Sequence, residues 1–359
     1  MNFNFYLIKS FRIFLFPFSL LYGLVVVARN YLFDKNIIKS VSFNLPIISV
    51  GNLSVGGTGK SPMVEYLLSF LKDQYKVATL SRGYKRETKG YMLANPQTTA
   101  LEIGDEPMQF HRKFPEVEVA VGEERIEAIP HLLQDKPETE VIILDDAFQH
   151  RSVAAGLNIL LTQYHDLFTR DFFLPTGNLR DQPSSYKRAD VIVVTKCPFN
   201  LSDKERAEIK KEIKPLARQK VFFTTIEYGD PYHIITGAER QITADDEVLL
   251  VCGIANPAPL KNYITGTAKT YNELSFADHH NFSIDDTREI KKKYLDIASD
   301  DKMIITTEKD AVRLIKFEEE LISLPVYVLP VQHKFLFREG IQFDDIVNTF
   351  IKMFPADKK

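Results

Sequence analysis

The stretch VGNLSVGGTGKSP, from Val50 to Pro62, constrains the fold more than any other part of the chain. An apolar run, PIISVGN, leads into it, and an amphipathic segment from about Pro62 to Leu71 follows. A strand, a glycine-rich turn and a helix in that order present backbone N–H groups and a helix N-terminus to an anion, which is the arrangement that cradles a phosphate chain. Gly56, Gly57 and Gly59 supply the turn, Lys60 a cation for the outer phosphates, and Ser61 a hydroxyl for Mg²⁺. Ser54, Val55 and Thr58 complete the cradle. Ser54 departs from the usual pattern, which has glycine at that position. Pro62 is tolerated in the first helical turn because its missing N–H would be unpaired there.

A phosphate loop of this kind works with a carboxylate at the end of a neighbouring buried strand. EVIILDDAFQH offers Asp145 and Asp146 after four apolar residues. Alone, two adjacent acids at a strand end also fit a solvated turn. Beside the loop they point to a metal or its bound water. Six continuous apolar runs between residues 46 and 196 read as buried parallel strands. Residues 202–217 read as a charged surface helix with Ser202 as its N-cap. The class expected is α/β, a P-loop NTPase-like α/β/α sandwich over 45–219. A second series of strands implies a smaller α/β lobe over 220–359, with linking strands near 220–236, a helix at about 286–298 and a closing helix at 341–353. A cleft between two lobes is where a ligand is expected.

Composition removes some classes of function. The 359 residues carry 45 basic and 48 acidic side chains, a net charge of −3, so no global electrostatic case for nucleic-acid binding exists. Cys197 and Cys252 stand in apolar runs with no second Cys or His at metal-ligand spacing, and read as inert core residues in a reducing compartment. Between Arg12 and Arg29 lies IFLFPFSLLYGLVVVA, uncharged throughout but shorter than the ~20 residues of a straight membrane span. A signal peptide fits poorly, because no clear small-x-small cleavage site follows. A helix buried on the next domain competes with an interfacial or inserted one. Lys9, Arg12, Arg29, Lys35 and Lys39 against Asp34 alone favour an anionic membrane surface for residues 1–44.

Several separated motifs together resemble the tetraacyldisaccharide 4'-kinase family of lipid A biosynthesis. They are GNLSVGGTGKSP at 51–62, SRGY at 81–84, GDEP at 104–107, DDAFQH at 145–150, GNLRD at 177–181, VTK at 194–196, FADHH at 276–280 and TEKDAVRL at 307–314. That family also carries Ser or Thr at the position of Ser54. The resemblance implies transfer of the ATP γ-phosphate, with Mg²⁺, to the 4'-hydroxyl of an acylated glucosamine disaccharide 1-phosphate at the cytoplasmic face of the inner membrane; a monomer is expected. It implies that Asp105 of GDEP, paired with His279 of FADHH, assists loss of the hydroxyl proton, which requires the lobes to meet. It leaves Lys60 to the β/γ-phosphates, Ser61, Asp145 and Asp146 to the metal side, and Asp278, His280, Gln149 and His150 as positioning groups. Arg82, Arg125 and Arg180 are the candidates for substrate phosphate, since a planar two-bond donor suits it.

The chain departs from the family pattern at Ala147, at Asn178, Asp181 and Gln182, and at Ala277. Ala147 adds a methyl group beside the metal carboxylates, and the changes in GNLRDQ bear on loop shape while keeping Arg180. A different class of function also fits the loop: a membrane-peripheral P-loop ATPase whose hydrolysis drives binding of a partner.

Overall fold

The computed structural model describes residues 12–354. Lys9, counted among the basic residues of the N-terminal segment, lies outside them. The central strand is β1 (Ile47–Asn52), with every residue buried. Around it run β2 (Val77–Ser81), β3 (Met92–Leu93), β4 (Glu118–Val121), β5 (Val141–Asp145), β6 (Leu157–Gln163), β7 (Val191–Thr195) and β8 (Lys220–Tyr228). Five further strands follow: β9 (Tyr232–His233), β10 (Glu247–Cys252), β11 (Thr270–Ser275), β12 (Lys302–Thr307) and β13 (Val326–Leu329). The last is β14 (Val331–Phe335).

The larger sheet has nine strands in the order β14-β8-β7-β6-β1-β5-β2-β4-β3. Its parallel centre is the set of apolar runs legible in the sequence. Alternate residues of β1 and β5 face opposite sides, as the two-residue period of a strand requires. Ile48, Val50 and Ile143 join Met63, Leu67 and Phe110 from the helices Lys60–Leu71 and Asp105–Lys113. Ile47, Ile142 and Leu144 instead pack on Ile129 and Leu132 of the helix Arg125–Asp135. Both faces are thus covered, which is why these strands carry no polar alternation. Ser202 caps the helix Asp203–Ile213 as the sequence predicts, in a reciprocal box with Glu205.

The smaller sheet, β11-β10-β12-β13-β9, packs the helices Ile284–Leu295 and Glu308–Leu314 on one face. The helix Ala258–Thr267 covers the other. The division between lobes differs from the sequence expectation. The run 220–236 reads as a linker, yet β8 pairs in parallel with β7 and is a member of the larger sheet. β14 returns antiparallel onto β8. The helix Gly340–Met353, expected with the smaller lobe, buries Phe343, Val347 and Ile351 in the larger core. Amphipathic period alone cannot say which core a helix will join. β3, two residues long and at the sheet edge, gave no usable sequence signal.

The apolar N-terminal segment forms a 3₁₀ turn, Ile13–Leu15, and a helix, Phe16–Asp34. One narrow stripe docks: Ser19, Gly23, Asn30 and Phe33 are buried. Ser19 donates to Thr176 at 2.7 Å, and Asn30 to Asp181 at 2.7 Å. Asn178 accepts from Arg12 at 3.1 Å. Three of these partners come from the segment 176–181, so its Asn178 and Asp181 anchor the helix. The outer face leaves Phe14, Phe18, Leu21, Leu24 and Val25 exposed.

Gly51 of β1 marks how closely the strand approaches the turn after β5. A Cβ at Gly51 would meet the Phe148 Cβ at 2.7 Å and its backbone N at 2.9 Å. Gly51→Ala is therefore expected to destabilise the protein by about 1–3 kcal/mol through overpacking, read as a lower urea midpoint at an unchanged slope. An unaltered midpoint would contradict this packing.

Candidate active site

The loop after β1 opens at the carboxyl end of the central strand, where ligands of open α/β sheets bind. Ser54 is buried and bridges antiparallel to Leu179, and Val55 N–H donates to Asn178 at 2.8 Å. This position is extended and paired, so it does not call for glycine. The turn itself does: Gly56 has φ of +106° and Gly59 of +88°. Asn52 donates to the Thr58 hydroxyl at 2.8 Å, and Thr195 donates to the Thr58 carbonyl at 2.8 Å. The Gly59 carbonyl lies 2.8 Å from His333 Nε2, whose other nitrogen is 2.9 Å from the Thr224 hydroxyl. Burial pulls His333 down to about 4, so the ring is neutral near pH 7 and its Nε2–H donates to Gly59. A buried histidine in the run VQHKF gives no sequence sign of this role.

Lys60 and Ser61 open the helix Lys60–Leu71. Lys60 Nζ stands 3.7 Å from Asp146 Oδ1. Asp146 has φ of +50°, a conformation Asp tolerates better than most residues. Arg180 grips its carboxylate through both terminal nitrogens, Nη1 to Oδ2 at 2.9 Å and Nη2 to Oδ1. Burial opposes that charge, but Arg180 and Lys60 outweigh it and hold Asp146 down at about 2. Asp145 differs. Burial, then the neighbouring Asp146 charge, pushes it up to about 6. Its Oδ1 is buried with no hydrogen-bond partner, while Oδ2 accepts from Ser81 at 3.3 Å. Among the described residues no cage of three His, Cys, Asp or Glu side chains forms. A cation here would be shared between protein and phosphate oxygens.

A cleft of about 360 Å³ adjoins Asp146. Arg82, His150, Gln149 and Arg180 line it from the larger lobe, and Tyr22 and Arg29 from the N-terminal helix. Burial and the charges of Arg125 and Arg82 lower His150 to about 4, leaving the cleft arginines as its cations near neutral pH. Gln149 donates to the Asn52 carbonyl at 2.6 Å. The arginine candidates separate here. Arg82 and Arg180 line the cleft, whereas Arg125 is fully buried and bonds the Gly122 carbonyl, with Nη2 3.4 Å from the Asp145 carbonyl. Its guanidinium braces the strand end behind the carboxylates and presents no donor to the cleft. Tyr22 and Arg29 went unrecognised in the sequence because their segment reads only as apolar or basic.

Asp105 starts the helix Asp105–Lys113 after Gly104, φ +92°. His279, with φ of +62°, brings Nδ1 to 2.9 Å from Asp105 Oδ2. The pair expected from GDEP and FADHH is therefore in contact, between a helix of the larger lobe and a loop of the smaller one. His280 turns away to Asp286 at 2.9 Å and stacks on Phe276. Asp278 Oδ2 lies 3.9 Å from His279 Nε2. Two further ion pairs tie the lobes, Lys309 to Glu106 at 2.7 Å and Lys113 to Glu308 at 2.5 Å. Lys113 also donates to Glu65 of the phosphate-loop helix at 2.6 Å. Burial, then the charge of Glu308, raises Glu65 to about 7. Lys309 and Glu308 of TEKDAVRL thus join the lobes. Lys196, just after β7 and with φ of +55°, sits beside Gly57 of the loop.

Known proteins resemble this chain along nearly its whole length. A family model described as tetraacyldisaccharide-1-P 4'-kinase matches residues 11–352. The tetraacyldisaccharide 4'-kinase of Flavobacterium johnsoniae is 47% identical over 344 residues, covering 94% of this chain and 96% of that protein. That of Bacteroides thetaiotaomicron is 43% identical over 353 residues, 94% of this chain and 93% of the other. Among solved structures, the "apo" form LpxK from Aquifex aeolicus in complex with ATP superposes with a TM-score of 0.75 at 30% identity, covering 95% of this chain and 99% of that one. With its phosphate loop, paired carboxylates and lobe-spanning Asp–His contact in place, the chain belongs to the tetraacyldisaccharide-1-P 4'-kinase family.

Proposed function

We propose that the chain transfers the γ-phosphate of ATP to the 4'-hydroxyl of a tetraacyldisaccharide 1-phosphate. One observation carries this reading beyond family membership: the arginine-lined cleft shares Asp146 with the phosphate loop and takes Tyr22 and Arg29 from a helix whose outer face is apolar. A lipid with a phosphorylated sugar headgroup suits both parts. Its chains match Phe14, Phe18, Leu21 and Val25, and its anionic head matches Arg29, Arg82 and Arg180. The helix Ile13–Asp34 is long and apolar enough to enter a bilayer, and docks on the protein by only one stripe. This supports action at a membrane surface, for which the family implies the cytoplasmic face of the inner membrane.

In this reading the loop N–H groups and Lys60 hold the β- and γ-phosphates on the helix N-terminus. Asp105, ionised and hydrogen-bonded to His279, receives the proton as the 4'-oxygen attacks phosphorus and the bond to the β-phosphate oxygen breaks. Residues 45–219, with β8, β14 and the last helix, form the phosphate-loop unit, and the smaller sheet brings His279 down on it. Water is excluded when the two meet, which limits transfer of the phosphate to water. The partnerless Asp145 Oδ1, with Asp146 beside it in the motif and the hydroxyl of Ser61 from the phosphate loop, suits Mg²⁺. Bound there with the nucleotide, Mg²⁺ would neutralise phosphate charge.

Lys60→Ala and Asp105→Ala are each expected to lower label transfer from γ-labelled ATP to lipid by about 10²-fold or more, with an unchanged circular dichroism spectrum. Retained transfer in either variant would contradict the assigned roles, and ATP hydrolysis with no labelled lipid from the wild-type protein would contradict the reaction itself. A second expectation concerns the helix. Replacing Phe18, Leu21 and Val25 together by Ser leaves its buried stripe intact, and should shift the protein from vesicle-bound to free in a flotation gradient. Undiminished flotation would assign membrane contact elsewhere.

A further inference from the structure

The motif TEKDAVRL places Glu308 and Lys309 in the contact between lobes, and the mechanism above leaves its Arg313 unused. Arg313 is buried, 8% exposed, on the helix Glu308–Leu314. It crosses from the smaller lobe to the larger and grips Asp105 with two parallel bonds, Nε to Oδ1 at 2.9 Å and Nη2 to Oδ2 at 2.6 Å. A planar fork of this kind fixes the plane of a carboxylate as well as neutralising it. The same Oδ2 faces His279 Nδ1, and Arg313 Nη2 lies 3.2 Å from that nitrogen. Carboxylate, imidazole and guanidinium therefore form one triangle.

The guanidinium is itself held in place. Nη1 lies 3.4 Å from Asp310 Oδ1, and Asp310, fully buried, accepts from Gly253 N–H at 3.0 Å and from the Thr307 hydroxyl at 2.7 Å. An arginine seated this firmly at the end of a buried carboxylate network keeps one orientation, so the orientation of Asp105 is dictated from the smaller lobe.

We propose that Arg313 is a positioning residue of the phosphoryl transfer: it sets the plane of the Asp105 carboxylate and pairs its charge, and does so only while the helices Asp105–Lys113 and Glu308–Leu314 are in contact. This rests on the reading of Asp105 as the group that takes the acceptor's proton. Coupling a proton acceptor to lobe contact confines its ordered form to the assembled site, so Asp105 is aligned where water is excluded.

The charged groups around Asp105 give the sign of its pH dependence. His279 and Arg313 touch it, Glu106 follows it on its own helix, and Lys309, Asp310 and Asp278 stand in the facing elements. Burial raises Asp105, but the Arg313 bonds and charge outweigh burial, with help from His279, and the net shift is downward. A base with a lowered pKa is ionised above it and loses activity only as pH falls through that low value. Without Arg313, burial is opposed by His279 alone among the touching groups, and the loss moves upward in pH.

The test is kcat/KM for the lipid acceptor, measured between about pH 4.5 and pH 8, for the wild type, Arg313→Gln, Arg313→Lys and Asp105→Asn, with thermal melts of each. Arg313→Gln, which keeps donors but no charge, should show a reduced kcat near neutral pH and a ratio to wild type that falls further as pH drops into the carboxylate range, by up to about tenfold for each unit by which its carboxyl pKa rises. Arg313→Lys, which keeps the charge but not the fork, should show a reduced kcat with a near-constant ratio to wild type, and KM for ATP should stay within about twofold in both. A constant ratio across pH for Arg313→Gln, with Asp105→Asn inactive, would overturn the role of Arg313 alone. If Arg313→Gln fails to fold, the ratio for Arg313→Lys decides: a pH-independent loss of kcat supports the role, and wild-type kcat overturns it. An active Asp105→Asn would instead remove the reading on which the proposal rests.

Discussion

A left-handed turn at Gly59 is the constraint on which the rest of the site depends. The phosphate loop can aim its N–H groups inward only if the chain reverses there, and the turn is pinned from three strands. Asn52 of β1 and Thr195 of β7 hold Thr58, and His333 of β14 holds the Gly59 carbonyl. β14 is also the strand that carries the chain back from the smaller sheet, so the loop and the lobe junction share a residue ladder. A neutral buried histidine is well suited to this, since a charged one would place a second cation under the phosphates and would need its own partner.

From that turn the chemistry divides between two sides. On one side Asp146, held by Lys60 and Arg180, links the loop after β1 to a cleft opening toward the apolar helix. On the other side the smaller lobe meets the larger through charged pairs, Asp105 with Arg313, Glu106 with Lys309 and Lys113 with Glu308. Such contacts are weaker than an apolar interface of equal area because desolvation offsets much of the attraction. In the proposed function, a junction built this way would let the lobes part to admit two large substrates while its charge partners specify one arrangement when they meet.

Much of this was legible in the sequence, for reasons that can be named. Buried parallel strands read as continuous apolar runs, so β1, β2, β4, β5, β6 and β7 stood out, and Ser202 announced its helix as an N-cap. The pairing of Asp105 with His279 was legible only through resemblance to the family, since nothing local links residues that far apart. What escaped was tertiary in origin. Ser54 looked anomalous because a local pattern expects glycine, whereas its bridge to Leu179 asks for an extended residue. Arg125 resembled a phosphate ligand by type, yet burial behind Asp145 turned it into a brace. The helix Gly340–Met353 joined the larger core, and Arg313, one basic residue in a helical motif, took its significance from a carboxylate over two hundred positions away.

The claim that joins these parts is that phosphates on the Gly59 turn face the headgroup of a lipid lying in the arginine cleft. The most direct measurement is proton–phosphorus correlation spectroscopy of the lipid recovered after incubation with ATP, Mg²⁺ and a tetraacyldisaccharide 1-phosphate. A new phosphorus signal coupled to the proton on the 4' carbon is the result this account predicts. A phosphate attached at any other position, or unmodified lipid beside released inorganic phosphate, would contradict it.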